Sequence, residues 1–162
     1  MKVNPFSPSD PDRRYLWEML VTRDIKAFVL QDWNMVKDDF ISEGFMGIDA
    51  GKHTNVDTWE LKYPTLEAYK KEWLSQAKEF SKIELIENKE DAFFMVTDMK
   101  QIEIREDVAL IHKKFNGPFK KKDGGEVPTD WRTLYRCRKV DGVWKIAGFT
   151  GYMPLDLVKA DP

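Results

Sequence analysis

Asp49 closes a short apolar run, Phe45-Met46-Gly47-Ile48, and opens a loop that carries His53 four residues later. A carboxylate at the mouth of an aromatic pocket loses water, which raises its pKa toward that of a working general base. His53 could share that proton or touch a ligand. Both have a plainer reading as well: Asp49 as the cap of the turn at Ala50-Gly51, and His53 as an exposed loop side chain. Trp59, further along the same loop, is either a pocket wall or a filler of the core.

Other reactive types read as structural. His112 shares a strand face with Gln101 and Glu103, away from Ile102, Ile104 and Ile111, on the solvent or dimer side. Two histidines and one cysteine at scattered positions make no recognisable metal spacing, so no metal is expected. Cys137 reads as inert core, and Lys120-Lys121-Lys122 as a solvated hairpin tip. There is no phosphate loop, dinucleotide fingerprint or serine elbow, and no cofactor is called for.

The strongest structural signal is near the end of the chain. Trp131 to Val140 and Val143 to Tyr152 flank Asp141-Gly142, the preferred two-residue hairpin turn. If Val140 opposes Val143, then Cys137 faces Ile146, Tyr135 faces Gly148, Thr133 faces Thr150 and Trp131 faces Tyr152. Alternation puts these residues, with Trp144, on one side of the sheet. That side is mostly apolar and should meet the helices. Trp131, Thr133, Tyr135, Thr150 and Tyr152 carry indole or hydroxyl groups that need partners when buried, and Gly148 leaves room beside them. Polar-tipped aromatics around a space are what a small, mostly apolar or aromatic molecule would require. The opposite side carries Arg132, Leu134, Arg136, Arg138, Lys145, Ala147 and Phe149, and is a candidate homodimer surface.

Upstream elements must close that space. Asp10-Pro11 starts a helix, and Trp17, Val21, Ile25 and Phe28 carry it to about Gln31. Asp32 can cap a shorter helix with Trp33, Val36 and Phe40, ended by Gly44. Residues 50–64 read as a loop. Thr65 caps a clear helix along Leu66, Tyr69, Trp73, Ala77 and Phe80. Residues 81–96 fit strand or short helix. Gln101 to Arg105 and Val108 to Phe115 read as strands, and residues 116–128 as a polar hairpin loop.

With 162 residues the chain suits a single domain: a loose arm over residues 1–9, the domain over 10–154 and a tail over 155–162. A net charge of −2 supplies no field for nucleic acid or an anionic membrane. The lone cysteine, the absence of an apolar leader and the absence of a ~20-residue apolar span point to a cytoplasmic setting and no membrane contact.

Three features together resemble the nuclear-transport-factor-2-like superfamily, in its SnoaL-like and ketosteroid-isomerase-like branch. They are the long helix running into Asp32-Trp33-Asn34-Met35-Val36 and then Phe45-Met46-Gly47-Ile48-Asp49, the helix Thr65 to Phe80, and the closing hairpin around Asp141-Gly142. The resemblance implies an α+β cystatin-like cone, a curved antiparallel sheet wrapped around about three helices. In isomerase-like members a carboxylate after the first short strand is the general base, and Asp49 matches that position. The first-helix tyrosine of those enzymes has no match here, its place falling near Arg23-Asp24. Two functions follow: proton transfer on a small apolar ligand with Asp49 as base, or a ligand-binding or dimeric interaction module without chemistry.

Overall fold

Asp10 accepts the amide of Arg13 and Pro11 occupies the first helical position, so the first helix begins where its cap dictates. The computed structural model describes residues 2–156. Helix α1 (Pro11–Trp17) widens into a π-helical segment (Glu18–Arg23) and resumes as α2 (Asp24–Leu30). Gln31, in the left-handed conformation, ends it. Leu16, Trp17, Leu20, Val21 and Ile25 bury its inner stripe.

The expected second helix is two 3₁₀ turns instead, Trp33–Met35 and Lys37–Asp39. Asp32 caps the first by accepting the Asn34 amide, but Val36 leaves helical geometry at φ −122°. Asp39 is then fixed from outside, because both its oxygens take 2.8 Å bonds from the Arg23 guanidinium. A long-range bidentate contact thus overrides local helical periodicity.

Strand β1 (Met46–Asp49) follows, and part of the expected 50–64 loop is a second strand, β2 (Glu60–Tyr63). Helix α3 (Leu66–Ser81) is capped by Thr65 and turns Trp73, Ala77 and Phe80 inward. The ambiguous stretch resolves as α4 (Lys89–Val96), capped by Asn88. Strands β3 (Thr97–Arg105) and β4 (Val108–Phe115) pair with Arg105 opposite Val108. A small two-stranded arm, β5 (Phe119–Lys120) with β6 (Glu126–Val127), sits inside the expected hairpin loop. Strands β7 (Trp131–Val140) and β8 (Val143–Pro154) complete a sheet ordered β2-β1-β8-β7-β4-β3. All its pairings are antiparallel except β1 with β8.

The β7–β8 hairpin starts in the expected register, with Val140 opposite Val143 and Cys137 opposite Ile146. It then slips twice. Arg136 meets Gly148, Leu134 meets Thr150 and Arg132 meets Met153. Each slip is a bulge that adds one residue to β8 and reverses its alternation. Three placements are corrected by this. Gly148, expected inside opposite Tyr135, pairs with Arg136 on the outer row, and Tyr135 meets Phe149. Phe149, expected outside, is core and only 3% exposed. Thr150, expected inside, pairs with Leu134 on the outer row.

The N-terminal arm is tied to this frame. The Lys2 ammonium donates to the carbonyls of Phe94 and Thr97, and Asn4 donates to the Arg14 carbonyl at 3.0 Å. Residues 157–162 of the expected tail lie outside the described residues. No described helix is long and apolar enough to cross a membrane.

Candidate functional site: an aromatic cavity over a buried ion pair

Helix α3 lies across the curved sheet, and its spacing of three and four aims Tyr69, Trp73, Gln76 and Phe80 at strands β4, β7 and β8. Between them is a cavity of about 550 Å³. Small-molecule sites run from roughly 300 to 1,000 Å³. One wall is a packed aromatic group: Phe28 meets Trp73 edge-on at 5.5 Å, and Phe93 lies within 4.9 Å of Phe80 and 5.0 Å of Phe119. The facing wall is β7, where alternation delivers Trp131, Thr133 and Tyr135 to the same side. At the rim, Lys52 sits 5.0 Å over the Trp131 ring, and the Tyr152 hydroxyl donates to Gln76 Oε1 at 2.7 Å.

The floor holds two opposite charges. Lys113 is 1% exposed and its ammonium donates to Asp24 Oδ2 at 2.8 Å and to the Leu20 carbonyl. Leu20 lies in the π-helical segment, and a widened turn of this kind is a common place to re-aim a backbone group. The Asp24 side chain is 26% exposed, so it reaches the cavity while the ammonium does not reach solvent. An ammonium this deep requires its carboxylate, since an unpaired buried charge is expensive.

Around the pair stand phenols held neutral. Burial pushes the Tyr69 and Tyr135 hydroxyls well above their ordinary value, and the nearby Asp24 charge adds to the shift. Burial pushes Tyr152 up to about 12, although its bond to Gln76 works the other way. At ordinary pH all three keep their protons and can donate. The Tyr135 and Thr133 hydroxyls have no hydrogen-bond partner among the described residues, although both side chains are over nine-tenths buried.

The residues singled out from the sequence fall into two places. Trp131, Thr133, Tyr135 and Tyr152 line the cavity together. Asp49, His53, Trp59 and Thr150 are not among its lining residues. The Asp49 carboxylate accepts the Gly51 amide at 2.7 Å and faces Lys62 at 3.5 Å. His53 is exposed, and its carbonyl accepts the Trp59 indole N–H at 2.9 Å, closing the loop on itself. Cys137 is buried, which pushes its thiol up to about 12. His112 stands on the outer face opposite Leu134, and burial, followed by Arg132 and Lys114, holds it below the usual histidine range.

Asp24 and Lys113 are the members that sequence reasoning missed. A signal for Lys113 exists: Ala109, Ile111, Lys113 and Phe115 occupy one face of β4, and the lysine is its single charged member. A lone charge in an inward-facing row needs a buried partner, and Asp24 on the helix stripe supplies it.

No protein-family model and no curated protein matches the chain. Solved structures do. A protein of unknown function with a cystatin-like fold from Nostoc punctiforme superposes with a TM-score of 0.58 at 10% identity, covering 92% of this chain and 93% of that one. An NTF2-like protein with a cystatin-like fold from Novosphingobium aromaticivorans gives 0.56 at 10% identity, covering 90% and 83%. An NTF2-like protein of unknown function from Pseudomonas putida gives 0.54 at 16% identity, covering 87% and 85%. At such identities the likeness reaches the fold alone, and the chain is an α+β cone of the NTF2-like, cystatin-like fold.

Proposed function

We propose that the protein binds a small, mostly apolar or aromatic molecule in the cavity between α3 and the sheet, and that the cone serves binding rather than turnover. The observation that carries this reading is the cavity itself, walled by aromatic rings and edged by the unpartnered hydroxyls of Tyr135 and Thr133. Binding is favoured over proton transfer because the Asp49 carboxylate is engaged by Gly51 and Lys62. An isomerase-like role of the SnoaL-like kind would require Asp49 to leave both partners and turn inward. A cytoplasmic setting fits the single thiol, Cys137.

The test is titration with acetonaphthone, a neutral aromatic ketone, followed by tryptophan fluorescence. Saturable quenching is expected, because Trp73 and Trp131 line the cavity. Asp49→Asn should leave the affinity unchanged and cost about 1 kcal/mol of stability from the weakened turn bond. Absence of saturable quenching with acetonaphthone and with larger neutral aromatics would overturn the reading.

The outer sheet face remains the proposed surface for a second copy. Leu110, Leu134 and Ala147 form its apolar part, among Arg136 and Lys145. Light scattering should return twice the chain mass of 19.0 kDa, and a monomer mass would rule the pairing out.

A further inference from the structure

The charged side chains that line the cavity are Asp24, Glu72, Glu79, Lys52 and Lys113, and they are not equally committed. Asp24 and Lys113 answer one another at 2.8 Å, and the lysine, 1% exposed, is closed to a ligand. Glu79 is exposed and pairs with Lys82 at 2.9 Å. Glu72, half-buried, and Lys52, exposed, are left without an ion pair among the described residues.

Glu72 is the better fixed of the two. It sits on α3, where the Gln76 amide donates to its Oε1 at 3.1 Å, and Gln76 Oε1 in turn accepts the Tyr152 hydroxyl at 2.7 Å. The bonds run in one sense, from Tyr152 through Gln76 to Glu72. They end on a carboxylate whose Oε2 receives no donor among the described residues. Burial comes first in raising the Tyr152 phenol, and the charges of Asp49, Glu72 and Asp24 all act on it in the same direction. Lys52 instead rests its ammonium 5.0 Å over the Trp131 ring, an aromatic face already holding a cation.

The backbone is strained at the same mouth. Of the non-glycine residues with positive φ, Gln31 ends a helix, and Glu106 and Asp141 turn hairpins. The others are Lys52 (φ 62°), Tyr152 (φ 55°) and Asp130 (φ 50°), which directly precedes Trp131. The Lys52 amide donates to the Tyr152 carbonyl at 2.7 Å and ties two of them together. Such backbone costs energy and gathers where ligands are held. At Tyr152 it accompanies a bulge, a device that re-aims a side chain.

We propose, resting on the ligand-binding reading above, that the cavity takes an apolar amine as its ammonium ion, with the charged end on Glu72 Oε2 beside Tyr152 and the hydrocarbon body between the aromatic walls. A carboxylate without a cation gains a charge-assisted bond, and ring faces such as Trp73 add a second attraction. An entering carboxylic acid meets Glu72 as a like charge, and the buried ammonium of Lys113 is already taken. The Lys52 side chain, exposed on its loop, swings aside as the ligand cation arrives.

The experiment is calorimetric titration of the full chain at about pH 7 with naphthylmethylamine, naphthylmethanol and naphthoic acid. At that pH the amine is a cation, the alcohol neutral and the acid an anion. The amine is expected to bind at least about tenfold tighter than the alcohol, with the acid weakest. Glu72→Gln should bring amine and alcohol within about twofold of each other. Lys52→Asn, a neutral residue that accepts left-handed backbone, should tighten the amine. Acid binding as tight as the amine, amine binding no tighter than the alcohol, a preference that survives Glu72→Gln, or a weaker amine in Lys52→Asn overturns the proposal, while alcohol binding keeps the cavity reading. If Glu72→Gln does not fold, the ranking on the unaltered chain still decides. Failure of all three ligands and of acetonaphthone to bind brings down the cavity reading and this proposal with it.

Discussion

Asp24→Ala is expected to lower the unfolding free energy by about 3–5 kcal/mol, and Lys113→Met by clearly less. The asymmetry comes from burial. Without Asp24 the ammonium of Lys113, 1% exposed, is left with a backbone carbonyl and no counter-charge. Without Lys113 the Asp24 carboxylate, 26% exposed, can still be hydrated from the cavity. Methionine also follows the path of the lysine stem, giving up only the ammonium that stands 5.3 Å over the Phe115 ring. The double change, Asp24→Leu with Lys113→Met, should recover most of the loss, because exchanging a buried pair for apolar side chains is often close to neutral. Urea unfolding followed by fluorescence measures all three. A loss below about 1 kcal/mol for Asp24→Ala, or a larger loss for Lys113→Met, would show that the pair does not hold the floor.

Phe149→Ala is expected to cost about 3–5 kcal/mol, the range for removing a fully packed aromatic ring. Phe149 lies 4.8 Å from Tyr69, 5.9 Å from both Phe45 and Tyr63, and 6.0 Å from Tyr135. It joins the start of β1, the end of β2, α3 and β7 in one cluster. Leu134→Ala, on the opposite face of the same hairpin, should cost much less in the monomer, since Leu134 is half-buried. The comparison tests the register directly. Were the hairpin to run to its end without bulges, Phe149 would share the outer face with Leu134 and the two losses would be similarly small.

That register separates what the residues disclosed from what they did not. The turn chemistry of Asp141-Gly142 was sufficient near the loop, where both residues take positive φ, 52° and 79°, as a primed turn demands. Alternation then placed Trp131, Thr133, Tyr135 and Cys137 on the inner face of β7, which contains no extra residue on its own side. On β8 the same rule failed past Ile146. A bulge changes the count of residues rather than their type, and period two has no means of registering it. A hint existed in Gly148, because glycine inside a strand marks a bulge or a close backbone approach. Here a Cβ at Gly148 would fall on the Met46 carbonyl oxygen and the Arg136 guanidinium.

Strand β2 escaped notice for a different reason. Glu60, Leu61 and Lys62 are exposed and two of them charged, the usual composition of a sheet edge and a poor match to a half-buried strand. The cavity was half visible. Its β7 wall followed from alternation, whereas its floor required combining a helix stripe with a strand distant in sequence. Nothing local announces that Asp24 and Lys113, 89 residues apart, will meet.

The π-helical stretch Glu18–Arg23 carries a consequence for how this chain tolerates length changes. A π turn accommodates an additional residue relative to an α turn. Excising one position there would let the whole of Pro11–Leu30 run as an uninterrupted α-helix, at no obvious local cost. The wide turn has already absorbed the rotation of that extra residue, so side chains downstream of the excision would keep nearly their present phase. Asp24 would stay on its lysine and Phe28 against Trp73, whereas the Leu20 carbonyl, no longer turned outward by the wide turn, would leave the Lys113 ammonium. The extra residue thus serves the aim of one backbone group, and the rest of the helix is indifferent to it.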